Sequence, residues 1–158
     1  MSFSIAETML DPLHAHVRQY GGEDAEAGGF LLGSYDDATA TVLALAEGLG
    51  VERSRGLFRI SGRAMERLFA FADDENLRVW AQVHSHPRGS FLSLTDETDG
   101  FRVPDFLSGV IPQYAEPPRE PQSWGWWTFR HGEWQPADNP GVANRPSRVV
   151  TFDEEGVR

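Results

Sequence analysis

Two histidines one residue apart, His84 and His86, close an apolar run, Val79-Trp80-Ala81-Gln82-Val83, and Pro87 follows them at once. In a strand, residues i and i+2 point to the same side. Both imidazoles can therefore reach one ion while Ser85 points away, and Pro87 stops the strand because it cannot donate to a ladder. Zinc in a catalytic site usually takes three protein ligands and keeps one position for water. Asp96 lies ten residues beyond His86, after a glycine-containing loop, and can return a carboxylate to the strand end. Water activated by a metal also needs a base. Glu26 stands at the mouth of the apolar, glycine-rich run Ala27-Gly28-Gly29-Phe30-Leu31-Leu32-Gly33, where it could take a proton and hand it to a leaving amine.

The chain contains its own control. His14-Ala15-His16 has the same spacing, but it falls in a helical pattern, where i and i+2 do not face each other. It is not expected to chelate. His131 sits in a turn beside Gly132 and reads as a solvated turn residue.

The elements that must position these groups are legible in outline. Phe3–Ala6 suggests a short strand. Asp11 and Pro12 suggest a helix start, with Leu13, Val17 and Tyr20 on one face and Gly21-Gly22 at the end. Strands are expected over 27–35, 41–47 and 56–60. Ser61 caps a helix whose buried stripe should be Met65, Leu68, Phe69 and Ala72. A strand over 77–86 carries the two histidines. Ser93-Leu94-Thr95-Asp96 has the form of a capping box and opens a helix to about residue 102, on which Asp99 is an alternative carboxylate. Residues 106–114 are strand-like, 116–122 form a proline-rich loop, and 123–130 with 133–135 make a hairpin around His131-Gly132. Residues 135–146 read as a linker and 149–152 as one extra strand, so the domain is expected over 1–136 with a tail over 137–158. Strands and helices mix without strict alternation. That is an α/β or α+β class: one domain with a mixed sheet flanked by helices.

Composition narrows the chemistry. The 158 residues contain no cysteine, which excludes disulfides, thiolate ligands and a cysteine nucleophile. A formal net charge of −10 argues against nucleic acid as a partner. No apolar run approaches the roughly 20 residues of a membrane helix, and the first residues lack the pattern of a secretory signal. A cytoplasmic protein without membrane contact is the expectation. Trp124 and Trp126 share one strand face, with Trp127 and Phe129 on the other. Core packing or partner contact would each explain such a strand.

Taken together, Glu26-x-x-Gly29-x-x-x-Gly33, His84-Ser85-His86-Pro87 and Ser93-x-x-Asp96 resemble the pattern of the JAMM (MPN-plus) zinc metalloproteases, in the same order. The match covers about residues 5–115 and is most similar to the prokaryotic JAB-like branch. The spacer from His86 to Ser93 is one residue shorter than is usual there. The resemblance implies an α/β fold of cytidine-deaminase-like architecture, with Zn2+ held by His84, His86 and Asp96. It gives Glu26 the role of general acid/base, and Ser93 that of a hydroxyl donating to the oxyanion. It further implies cleavage of peptide or isopeptide bonds after the tail of a ubiquitin-like protein. Substrates would be such proteins or their conjugates, with E1-like and E2-like partners, in antiphage conjugation or sulfur-carrier maturation. Two other readings are a catalytically silent scaffold of the same fold and a metallohydrolase of a small amide.

Overall fold

The computed structural model describes residues 2–99 and 101–158, with the backbone alone at Leu94, Thr98 and Asp99. Its frame is an eight-stranded mixed sheet. In chain order the strands are β1 (Ser4–Ala6), β2 (Gly28–Gly33), β3 (Thr39–Ala40), β4 (Val42–Ala46), β5 (Val51–Ser54), β6 (Leu57–Ile60), β7 (Arg78–Ser85), β8 (Leu107–Ile111), β9 (Gly125–Arg130), β10 (Glu133–Pro136), β11 (Gly141–Ala143), β12 (Arg148–Asp153) and β13 (Gly156–Val157). The helices are α1 (Leu10–Gly21), α2 (Gly62–Asp74) and α3 (Leu94–Asp99). The main sheet runs β10-β9-β8-β7-β2-β4-β12-β13, β1 lies between β3 and β11, and β5 pairs with β6. The class is the expected one: mixed α/β, with a large mixed sheet flanked by helices. No helix among the described residues is long and apolar enough to cross a membrane.

Both faces of the sheet are covered, which is why β2 and β4 are buried at every position rather than alternately. On one face α1 lays Leu10, Leu13 and Val17 against Leu31, Leu43, Val83 and Ile111, with Trp124 and Trp126 closing the end. On the other, α2 lays Ala64, Leu68 and Ala72 against Phe30, Leu32, Ala44 and Phe152. Trp124 and Trp126 are thus core residues, stacked with ring centroids 5.9 Å apart.

The differences from expectation have local causes. A short 3-10 turn, Glu7–Met9, runs directly into α1, which begins at Leu10. Asp11 is therefore inside the first turn rather than capping it, and it pairs with Arg119. Ser61 does cap α2, accepting the Ala64 N–H at 3.2 Å. The buried row there is Ala64-Leu68-Ala72, and Phe69 is 43% exposed, one row off the expected stripe. The run expected as one strand near residues 56–60 is half of the β5–β6 hairpin. Beyond residue 136 the chain forms three strands, not a linker and one strand: β11 pairs parallel with β1, and β12 pairs parallel with β4 inside the main sheet. His131 and Gly132 both have positive φ, 53° and 77°, the backbone that a tight β9–β10 turn demands.

Candidate metal centre

His84 is the penultimate residue of β7, and the strand's neighbours fix it on both sides. It lies opposite Gly28 of β2 and Val110 of β8. A Cβ at Gly28 would run into the Val83 carbonyl and the His84 backbone, and one at Gly29 into the Ala44 carbonyl of β4. Only glycines let β2 lie this close between its neighbours. His86 is just past the strand, held by its N–H to Ile111 O (2.9 Å) and by the Tyr114 N–H to its own carbonyl (3.1 Å). Ser85 points the other way. Its Oγ accepts the Ala27 N–H at 2.9 Å, and its own N–H donates to Ala27 O at 2.8 Å. The residue between the histidines thereby ties the strand end to the residue after Glu26.

The side chains converge. His84 Nε2 and His86 Nε2 are 3.2 Å apart, and Asp96 Oδ2 lies 3.2 Å from the first and 3.0 Å from the second. Ligand atoms of Glu26, His84 and His86 all fall within 4.8 Å of one another. Glu26, His84 and His86 are each 4% exposed. Tetrahedral zinc with bonds of about 2.0–2.1 Å sets its ligand atoms about 3.3 Å apart, so the His84–His86–Asp96 triangle has the size of one face of such a site. Imidazole and carboxylate are also the donors a chain without cysteine can offer. The residues present fit a metal ion, with Glu26 beside the tighter triangle.

The capping box is real, and it positions the aspartate. Asp96 Oδ2 accepts the Ser93 N–H at 2.9 Å, and Ser93 Oγ accepts the Asp96 N–H at 3.1 Å. The carboxylate that serves the start of α3 thus also faces both imidazoles, and the shorter spacer still delivers it. The side chain of Asp99, the alternative carboxylate, lies outside the described residues. His14 and His16 diverge as expected: His14 Nε2 lies 2.9 Å from Pro117 O, while His16 is buried edge-on against Tyr20. His131 is exposed in its turn.

The electrostatics follow from burial and charge. Burial raises the Glu26 carboxyl to about 7, with His86 pulling down and Asp96 pushing up. Burial acts the same way on Asp96. Hydrogen bonds from His84 and His86, with the Ser93 N–H, outweigh it and hold that carboxyl well below the usual range. For His86 burial disfavours the charged ring, but the Asp96 hydrogen bond, Glu26 and the Gly89 backbone win and raise it. Aromatic rings brace both imidazoles: Phe58 stacks on His84 at 6.4 Å, and Phe91 meets His86 edge-on at 5.0 Å.

Sequence reasoning missed the second layer around Glu26. Its N–H donates to Ser54 O (3.0 Å), and its carbonyl accepts from Arg53 Nη1 (3.1 Å). Both partners belong to β5. The available signal was the Ser54-Arg55-Gly56 turn, which splits 51–60 into two short runs. Also missed was a cavity of about 400 Å³ that reaches His84 and Asp96, walled by Phe30, Phe58, Met65, Phe101 and Trp134 with Gln82 in its lining.

No family model and no curated protein matches the chain. Solved structures do. The solution structure of protein DSY2949 from Desulfitobacterium hafniense is similar at a TM-score of 0.64 and 18% identity, covering 92% of this chain and 94% of that one. A solution structure of a protein from Salinibacter ruber is similar at 0.58 and 23% identity, covering 88% and 91%. Both likenesses concern the fold.

Proposed function

We propose that the chain is a zinc-dependent peptidase or isopeptidase cleaving after the C-terminal tail of a ubiquitin-like protein. His84, His86 and Asp96 would hold the metal. The observation that carries this reading is the triangle of donor atoms 3.0–3.2 Å apart with a buried carboxylate, Glu26, beside it. The substrate class comes from the resemblance of the three motifs to JAMM proteases.

When bound, zinc would supply Lewis-acid chemistry, polarising a carbonyl and acidifying a water. The protein's own groups do the rest. Glu26, with its carboxyl near neutrality, takes the proton of the attacking water and returns it to the leaving amine. The Ser93 hydroxyl accepts the Asp96 N–H and keeps its own hydrogen free to donate to the oxyanion as charge develops. Asp96 keeps the two imidazoles facing one point, and Ser85 keeps the Glu26 loop against them.

The test is incubation of the zinc-loaded protein with a ubiquitin-like protein fused through its C-terminal tail to a reporter, alongside Glu26→Gln. Wild type is expected to cut at the tail. The variant should bind the same zinc and turn over at least about 100-fold more slowly. Equal cleavage by both would remove Glu26 from the chemistry. A metallohydrolase of a small amide is the second reading, favoured by the cavity of about 400 Å³ at His84 and Asp96. Cleavage of small acyl amides with none of the fusion would select it.

A further inference from the structure

We infer that Arg53 is the positioning residue for Glu26, a role that rests on the reading of Glu26 as the proton carrier. The aim of the Glu26 carboxylate depends on how its backbone is fixed. Two consecutive residues of β5 fix it. Ser54 O takes the Glu26 N–H at 3.0 Å, and Arg53 Nη1 donates to the Glu26 carbonyl at 3.1 Å. The other arm of the same guanidinium, Nη2, donates to Ala46 O at the end of β4, at 2.8 Å. One planar group thus pins the segment entering β2 to the strand beside it.

The guanidinium is itself held in place. It lies 3.7 Å above the Tyr20 ring and 5.7 Å from the Phe58 ring, a geometry that suits a delocalised cation. Tyr20 is fixed by its hydroxyl, which donates to Glu47 Oε1 at 2.9 Å, and by the edge of His16 at 5.1 Å. Phe58 also stacks on His84, so the hairpin that carries Arg53 touches the base and a ligand candidate together. Arg53 acts through the backbone and not through its charge. Lysine would keep the charge but, as a single point donor, could not span two carbonyls as the fork does.

The experiment compares wild type, Arg53→Lys and Arg53→Met as full-length, zinc-loaded proteins. Three readouts are taken: zinc stoichiometry, kcat and KM on the ubiquitin-like fusion, and hydrogen exchange at the amides of Glu26, Ala27 and Leu31. Both variants should keep their zinc and lose about ten-fold or more in kcat, with KM within about two-fold, because small misplacements of a reacting group are costly. Exchange should quicken at Glu26 and Ala27 and stay unchanged at Leu31. An unchanged kcat in both variants overturns the inference. So does a fall in kcat accompanied by faster exchange at Leu31, which is the signature of general loosening. If Arg53→Met fails to fold, Arg53→Lys decides. If wild type cleaves nothing, the enzymatic reading has failed, and the exchange data alone decide whether Arg53 holds Glu26.

Discussion

His84, His86 and Asp96 present three donor atoms to one point, and their removal should be unequal in kind. Asp96→Ala takes away both a ligand candidate and the acceptor of the Ser93 N–H. It should lower zinc affinity by at least about ten-fold and loosen the start of α3, whereas His84→Ala should lose the metal and leave α3 as it is. Zinc titration with amide exchange over 93–97 distinguishes the two. His16 offers a pH test away from the centre. Burial lowers its ring to about 4, with Arg53 adding to the effect and Glu47 opposing it. Because the folded-state pKa is depressed below the unfolded value of about 6.5, the unfolded chain binds more protons between the two. Stability should therefore fall as pH drops from about 6.5 toward 4, by an amount of order 3 kcal/mol from this residue. The urea midpoint of wild type should fall relative to that of His16→Leu across that window; parallel curves would refute it. At this scale the donor set was legible because i and i+2 spacing on a strand is a geometric statement. Arg53, Ser54 and Ser85 were not, since what they hold is the backbone N–H and C=O of Glu26 and Ala27, groups that every residue carries.

Among the elements, α2 and the β5–β6 hairpin show where pattern reading succeeds and fails. The Ser61 cap was readable because a small hydroxyl residue precedes an amphipathic run. Its hydroxyl also donates to Glu154 Oε2 at 2.7 Å, tying the helix to the turn after β12. Ser61→Ala should cost about 1–2 kcal/mol, at the upper end of helix caps, as measured by urea unfolding. The expected stripe held Leu68 and Ala72 but missed Ala64, which carries little hydrophobic signal, and took in Phe69, which is exposed and lies against the Phe101 ring 5.5 Å away. The hairpin escaped notice because β5 is half charged, Val-Glu-Arg-Ser, and its two inward positions are Val51 and the stem and fork of Arg53 rather than an aliphatic row. β11 was hidden for a related reason. It is three residues long, largely exposed, and set among prolines and asparagines, so only its register with β1 reveals it.

In the whole molecule, the strand order explains what local pattern could not supply. The mixed class was readable from the succession of elements. The seating of β12 beside β4, about a hundred residues earlier in the chain, was not, because parallel pairing across that separation leaves no local mark. Truncation after residue 136 should accordingly give a protein without a cooperative urea transition, since β4 would lose its outer neighbour and α2 would lose Phe152 beneath it. A truncated chain with a wild-type transition would show that the rest folds alone. The same arrangement has a consequence during synthesis. Val42-Leu43-Ala44-Leu45-Ala46 is wholly apolar, and its free edge waits for a partner synthesised about a hundred residues later. Until then the nascent protein exposes a ready template for pairing with another copy, so its yield in cells should depend on chaperone supply more than a domain of this size would suggest.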